Sequence, residues 1–247
     1  MQTFASSRAT NSLEPLPIPK SLLGLGIRAL QCIGKRIAFY ASMTLVALLL
    51  QLAIALLWRV PQALPFAIYV VGPVLTTIVY AFVAADARDS DAPAEPIWPR
   101  ILERAWAVIV IDLGLGLLQQ NIMGGPATLG VGGVLEGVLL LFMTTSLIFA
   151  DASATVDDGD SALLLIPRSL GRSIAVVFAG GLFQRGLIVL AVQLVAAFAV
   201  LFAYAAASAH HLKHGDLWTL LVFNTILGVP IAAFTMLVYL EKRVKAV

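Results

Sequence analysis

The sequence predicts an all-α polytopic membrane protein with six transmembrane helices, two interfacial amphipathic helices and both termini in the cytoplasm. Three observations predict this class: an apolar composition, six runs long enough to cross a bilayer, and basic residues concentrated in alternate loops. Hydrophobic residues make up 60% of the chain and charged residues 12%, about half the roughly 25% charged content of a soluble domain. A soluble fold of 247 residues could not bury that much apolar surface, which indicates that lipid is the solvent.

The first predicted elements are a tail and an interfacial helix. Residues 1–20 are rich in Ser, Pro and charge and lack an apolar run, which favours a flexible cytoplasmic tail over a cleavable signal peptide. Residues 21–35 alternate apolar and polar positions at helical spacing, as in a helix that lies in the membrane interface. The apolar face holds Leu23, Ile27, Leu30 and Ile33, and the polar face holds Arg28, Gln31 and Lys35.

Residues 21–247 are expected to form a single domain of six spans. Crossing a hydrocarbon core of about 30 Å takes about 20 apolar residues at a helical rise of about 1.5 Å each. The runs that meet this length are residues 37–58, 63–85, 104–123, 126–150, 186–207 and 217–240. Only a short turn with Pro61 separates the first two, which predicts an antiparallel hairpin.

The basic residues predict the orientation, because Lys and Arg are retained on the cytoplasmic side of the membrane. With the N-terminus inside, fourteen of the sixteen fall in inner segments, and only Arg59 and Lys213 fall in outer loops. This asymmetry independently supports an even number of spans. The inner basic residues are candidates for binding anionic lipid headgroups. The residues predicted to bind them are Arg28, Lys35, Arg36, Arg168, Arg172 and Arg185.

The region between the fourth and fifth spans predicts a second interfacial element at residues 161–172, interrupted near Pro167. A single helix through the apolar stretch from residue 174 would be about 54 Å long, far more than one crossing needs. The run "GGLFQRG" supplies a break, so Arg185 is expected at the inner interface. One alternative stays open: a span beginning near Ser173 would carry Arg185 to mid-membrane, where it could neutralise an acidic residue.

The order of these features resembles a known family. A lead-in helix precedes six spans, "EPIWPRILERAW" precedes the third, "SALLLIPRSLGRS" precedes the fifth, and the last ends in "MLVYLEKR". This arrangement resembles the bacterial six-span family related to the membrane domain of glycerophosphoryl diester phosphodiesterases, including its small stand-alone members. The resemblance implies a fold and a place in the bacterial cytoplasmic membrane. It implies no phosphodiesterase activity, which in fused members belongs to a separate soluble domain.

Glu136 is the first candidate for a functional residue, because an ionisable group inside a span is costly. Counted from residue 126 it lies about 15 Å deep, near the middle of the bilayer. Gly133 and Gly137 form a GxxxG pair around it, which would allow another helix backbone to come close. Two interpretations stay open, a polar contact between helices and a functional carboxylate.

Asp112 in the third span is the second candidate, about 12 Å from the inner end of that span. It and Glu136 would then differ by roughly 6 Å in depth for a core of about 30 Å, which favours a staggered polar path over direct pairing.

His210 and His214 in the last outer loop have the i, i+4 spacing of helical metal ligands. A solvated loop cluster is the favoured interpretation, so no metal or other cofactor is expected.

These observations favour a non-enzymatic role, as a scaffold or accessory subunit that acts through lipids or partner membrane proteins. No nucleophile, base and oxyanion set can be assembled, and no basic stripe indicates nucleic-acid binding. The expected partners are the bilayer, anionic headgroups, and a second copy or a larger membrane complex. The alternative is a transporter or channel for a small solute or ion whose path includes Asp112 and Glu136.

Overall fold

A computed structural model describes residues 21–58, 63–87, 97–123, 131–156, 162–178, 183–209 and 215–243. Nearly all of these residues are helical, and none lies in a strand, so the predicted all-α class is confirmed for this part of the chain. The helices are α1 (Leu22–Lys35), α2 (Ile37–Trp58), α3 (Ala63–Ala87), α4 (Ile97–Met123), α5 (Val131–Leu147), α6 (Ala150–Val156), α7 (Ala162–Phe178), α8 (Phe183–Ala209) and α9 (Gly215–Arg243).

Four segments of the described chain are long and apolar enough to cross a membrane, judged by length and composition. They are Ile37–Ile54, Val70–Ala87, Glu136–Val156 and Phe183–Ala206, and α9 contains a shorter apolar segment, Ile226–Glu241. These segments indicate that the chain is a membrane protein. The predicted spans 104–123 and 217–240 lie within α4 and α9, and the total of six stays a prediction.

Helices α3 and α9 form the centre of the bundle, and the other helices pack around them. Val79 and Val83 of α3 are completely buried, as are Ala233, Met236 and Leu237 of α9. By contrast, α2 and α8 expose many large apolar side chains on the outside of the bundle. Such an outer surface is expected of helices whose solvent is lipid.

The structure differs from the sequence prediction after the fourth predicted span. Helix α5 ends at Leu147, residues 148–149 form a turn, and α6 continues from Ala150. Nearly every side chain of α6 is buried, between α3, α4, α7 and α9. The sequence prediction ended the fourth span at residue 150 and assigned no element to residues 151–156. Small side chains, including Ala150, Ala152 and Ala154, allow the close approach.

The second interfacial element is longer than predicted. Helix α7 runs from Ala162 to Phe178 and continues past Pro167, although residues 161–172 with an interruption were expected. The proline lacks only the N–H that would bond to the carbonyl of Leu163, one turn earlier, and the rest of the helix is long enough to tolerate this loss.

The described helices on either side of the predicted break are α7, which ends at Phe178, and α8, which begins at Phe183; residues 179–182 lie outside the described residues. At the start of α8, a Cβ atom added to Gly186 would lie 3.2 Å from Cγ2 of Thr145 and 3.6 Å from the Thr145 carbonyl oxygen. A side chain there would require the Thr145 methyl group to shift by a few tenths of an ångström. The glycine therefore permits close approach of α5 and α8 at this point.

Helix α1 packs against the bundle, and its opposite face is also apolar. Its buried residues include Ala29 and Cys32, which contact the core, while Leu23, Ile27 and Leu30 are exposed. The exposed set lies on one stripe of the helix, as the sequence predicts. A helix held by one face and apolar on the other is suited to the boundary between bundle and lipid.

Candidate functional site

The break between α5 and α6 is closed by one buried serine from a neighbouring helix. The Ser173 hydroxyl in α7 donates to the carbonyl of Ser146 at 2.8 Å and accepts from the backbone N–H of Phe149 at 3.1 Å. Both backbone groups lost helical partners when the helix was interrupted. In an apolar interior such groups must find a partner, and the serine supplies it.

The turn that Ser173 closes positions Asp151 in the first turn of α6, facing α4. The side chains of Asp151 and Asp112 lie beside each other, and both are near Tyr80 of α3. Oδ1 of Asp151 is buried and has no hydrogen-bond partner among the described residues. The bundle therefore contains two neighbouring carboxyl groups that are each partly buried.

The sequence predicted Asp112 as a polar residue inside the bundle but missed its partner, Asp151. The signal was present in "FADASATV", where one aspartate stands among small and apolar residues before the acidic run begins. Those neighbours indicate a packed helix rather than a loop. Only the helix break brings Asp151 opposite Asp112, and a break between two apolar residues leaves no glycine or proline signal in the sequence.

Glu136 does not join this pair. Its side chain is exposed on the outer surface of α5, and a Cβ atom at the adjacent Gly137 would meet nothing within 4 Å. Gly133 belongs to the same helix. The described apolar segment that could cross a membrane includes Glu136 and extends to Val156. The depth of Glu136 in the membrane stays a prediction.

Arg36 connects α1, α2 and α3 through a bidentate ion pair. Its Nε and Nη2 atoms donate to the Asp86 carboxylate at 2.8 to 3.1 Å, and the guanidinium carbon lies 5.2 Å from the centre of the Phe82 ring. The hydrogen bonds to Asp86 raise the pKa of Arg36. Nearby in α1, burial raises the pKa of the Cys32 thiol, which makes this lone cysteine a poor nucleophile.

Arg185 forms an ion pair with Glu241, near the end of α9. The Glu241 side chain is buried and that of Arg185 is mostly buried. The identity of this partner bears on a question that the sequence left open, whether Arg185 lies in mid-membrane and neutralises Asp112 or Glu136. In the described chain Arg185 pairs with Glu241 instead. Two of the predicted headgroup ligands, Arg36 and Arg185, therefore have carboxylates beside them that offset their charge.

The remaining headgroup candidates lie on the two predicted interfacial helices. In α1, Lys35 is exposed and Arg28 is half-buried; in α7, Arg168 is exposed and Arg172 is half-buried. His210 and His214 lie outside the described residues. Within the described residues, no group of three or more His, Cys, Asp or Glu side chains could hold a metal ion.

No protein-family model matches this chain, and no curated protein or solved structure matches it either. The resemblance to the six-span family related to the phosphodiesterase membrane domain therefore stays a prediction. Conclusions about the site depend on the geometry described above.

The bridging role of Ser173 leads to a testable prediction. Replacing Ser173 with Ala leaves the Phe149 N–H and the Ser146 carbonyl unpaired, and we expect a loss of about 1 to 3 kcal/mol of stability. Ser42→Ala is the matched control, since Ser42 bonds only to carbonyls of its own exposed helix turn, and its loss is expected to stay below about 0.5 kcal/mol. Unfolding in mild detergent measures both; equal midpoints for the two variants would contradict the bridge.

Proposed function

We propose that this chain is a non-enzymatic integral protein of the bacterial cytoplasmic membrane, a scaffold or accessory subunit that acts through lipids and partner membrane proteins. The observation that carries the proposal is the outward face of α5. There an exposed carboxylate, Glu136, stands beside an open glycine, Gly137, and is followed by the exposed apolar residues Val138 and Leu139. No described helix of this chain covers that face.

A carboxylate on an otherwise apolar surface is costly in lipid unless a second helix supplies a hydrogen-bond partner. The glycine beside it would allow that helix to approach closely. Because the described residues of this chain leave the face open, its occupant under this proposal is a helix of a second copy or of another membrane protein.

The proposal includes six spans with both termini in the cytoplasm. Two ion pairs support this arrangement, because Arg36–Asp86 and Arg185–Glu241 each join helix ends assigned to the inner side. A C-terminal fusion to green fluorescent protein should fluoresce, whereas a C-terminal alkaline phosphatase should be inactive, since it needs the oxidising periplasm. The opposite pair of readings would refute the inside C-terminus.

The lipid part of the proposal depends on α1. Its exposed stripe of Leu23, Ile27 and Leu30 is suited to the acyl region, while Lys35 and Arg28 stand on another side of the same helix. Each basic residue near the inner leaflet contributes about 1 kcal/mol to the free energy of attraction to anionic headgroups. Helix α7 presents Arg168 on an exposed face in the same way.

The proposed helix contact at the α5 face can be tested by replacing its glycine with a larger residue. Gly137→Leu should block close approach of a partner helix and weaken association at least tenfold, which corresponds to about 1.4 kcal/mol. Ala191→Leu is the matched control, because Ala191 is an exposed small residue of α8. The masses of complexes released from native membranes in nanodiscs provide the measurement. A wild-type chain that is alone, or a Gly137→Leu complex of unchanged mass, would count against this function.

A second candidate function is supported by the two neighbouring carboxyl groups. Asp112 and Asp151 lie beside each other next to an interrupted helix, and ionisable groups beside broken helices form the ion and proton sites of many transporters. This candidate replaces the sequence expectation that Glu136 belongs to the path. Its path would include Asp112, Asp151 and the neighbouring Tyr80.

Proton flux tests this second candidate. In proteoliposomes with an imposed potassium diffusion potential, the variants Asp112→Asn and Asp151→Asn should each reduce proton uptake at least tenfold, because an amide cannot release a proton to a carrier path. Glu136→Gln is the control and should leave the flux unchanged. Flux that survives in the double Asn variant would eliminate the transport mechanism.

A further inference from the structure

Helices α1–α3 and α7–α9 follow the same plan in the same order. Each set begins with an amphipathic helix, continues with a long apolar helix and ends with a helix that contains a proline, Pro73 in α3 and Pro230 in α9. Beyond the first proline, the Thr77 hydroxyl donates to the Pro73 carbonyl at 2.8 Å. Beyond the second, the Thr235 hydroxyl donates to the Ile231 carbonyl at 2.8 Å. The two sets therefore repeat one another in composition and in local bonding.

An ion pair closes each set at the same place. Arg36 directly precedes α2 and pairs with Asp86, the residue before the last one of α3. Arg185 lies in the first turn of α8 and pairs with Glu241, in the last turn of α9. Each pair thus joins the start of the apolar helix to the end of the proline-containing helix in its own set. Equivalent ends that carry equivalent charges favour the same direction through the membrane for both sets.

The amphipathic helices of the two sets match in sequence and in burial. Residues 25–30 read "LGIRAL" and residues 165–170 read "LIPRSL", with leucine, arginine and leucine at the first, fourth and sixth positions. In both hexamers the first and fifth positions are buried and the third is exposed. The buried residues are Leu25, Ala29, Leu165 and Ser169, and the exposed ones are Ile27 and Pro167. Both helices are therefore seated on the bundle through the same positions.

This match gives the basic side chains the same direction. A helix turns by about 100° per residue, so each arginine lies about 60° around the helix from the buried leucine three positions before it. In α1, Lys35 follows Arg28 on the same side after about two turns. In α7, Arg172 follows Arg168 after about one turn. Both helices therefore present a basic side at a similar angle to the bundle.

The surroundings of the two helices differ in one respect. Helix α1 packs against α9, whereas α7 packs mainly against α5 and α6. Helices α4–α6 connect the two sets in the sequence, and α6 packs against both α3 and α7, so it separates α7 from α3. This insertion changes what each amphipathic helix rests on, but not which of its positions are buried.

The exposed sides of both helices combine apolar and basic residues. Helix α7 exposes Leu164, Ile174 and Phe178, as α1 exposes Leu23 and Leu30. A helix with this division is suited to the bilayer boundary, where its apolar side chains enter the acyl region and its basic ones stay near the headgroups. Because a basic side complements negative charge, the headgroups that it attracts are anionic.

We infer that α1–α3 and α7–α9 are two copies of one membrane-surface unit, and that the chain binds anionic lipid headgroups at two equivalent sites. One site lies beside Arg28 and Lys35, and the other lies beside Arg168 and Arg172. The inference deepens the lipid part of the proposed function and depends on it. It adds a stoichiometry of two and an equal share for each helix, which a general attraction to the membrane surface does not require.

The test counts the lipids that the full-length protein retains. The chain is purified in detergent, stripped of excess lipid, exposed to phosphatidylglycerol or to phosphatidylcholine, and weighed by native mass spectrometry. We expect two phosphatidylglycerols per chain to persist and phosphatidylcholine to leave. Arg28→Gln with Lys35→Gln should lower the occupancy of one of the two sites at least tenfold, because each basic residue contributes to the attraction. Arg168→Gln with Arg172→Gln should do the same, and all four changes together should release both lipids.

Arg59→Gln with Lys213→Gln is the matched control. It removes the same charge from two positions that belong to neither amphipathic helix, and it should retain both lipids. A thermal unfolding transition in each variant shows whether the chain is folded. If Arg172→Gln unfolds it, Arg168→Gln alone is compared with Arg168→Lys, which keeps the charge and should keep the lipid.

The possible outcomes separate this inference from the proposed function. A loss in the α1 variant alone would overturn the two equivalent sites, as would a single lipid that either variant releases or two lipids that neither releases. In each of these cases a preference for phosphatidylglycerol would leave the lipid part of the proposed function in place. Equal retention of phosphatidylglycerol and phosphatidylcholine by the wild-type chain would remove that lipid part and the two sites together.

Discussion

The interior of this bundle depends on the two hydrogen bonds of Ser173. A helix interrupted inside an apolar bundle leaves backbone groups that water cannot reach, and each such group must be paired within the protein. Ser173 pairs one donor and one acceptor at the turn between α5 and α6. With the turn satisfied, α6 can change direction and insert its small residues between α3, α4, α7 and α9. Without it, Asp151 would have no fixed place opposite Asp112.

Charged residues at the helix ends are also paired within the protein. Where helices end, Arg36–Asp86 and Arg185–Glu241 join neighbouring elements through opposite charges. The first pair is partly exposed, with 40% of the arginine side chain and 10% of the aspartate side chain accessible, and surface ion pairs of this kind contribute little to stability. The second is more deeply buried, so leaving either partner alone would be costly. Their role in this fold is to fix which helix ends meet.

The candidate sites differ in what they require from outside the chain. Asp112 and Asp151 lie beside each other inside the bundle, which suits either a structural contact or a proton site. The Glu136 face instead presents a carboxylate on an apolar surface that no described helix covers. This face directs attention to a helix outside the chain, which is why the proposed scaffold or accessory role accounts for it and transport does not.

The sequence by itself determined the helical class and the bounds of α2, because hydropathy and length act locally. It also selected Arg36, Arg185 and Asp112 as residues of interest, since each is a charge next to or within an apolar run. Only the tertiary structure decided their partners: Asp86, Glu241 and Asp151 are distant in sequence or follow an unmarked break. Whether Glu136 is buried or exposed was likewise settled by packing, because a helix that is apolar all round gives no sign of which face its neighbours cover.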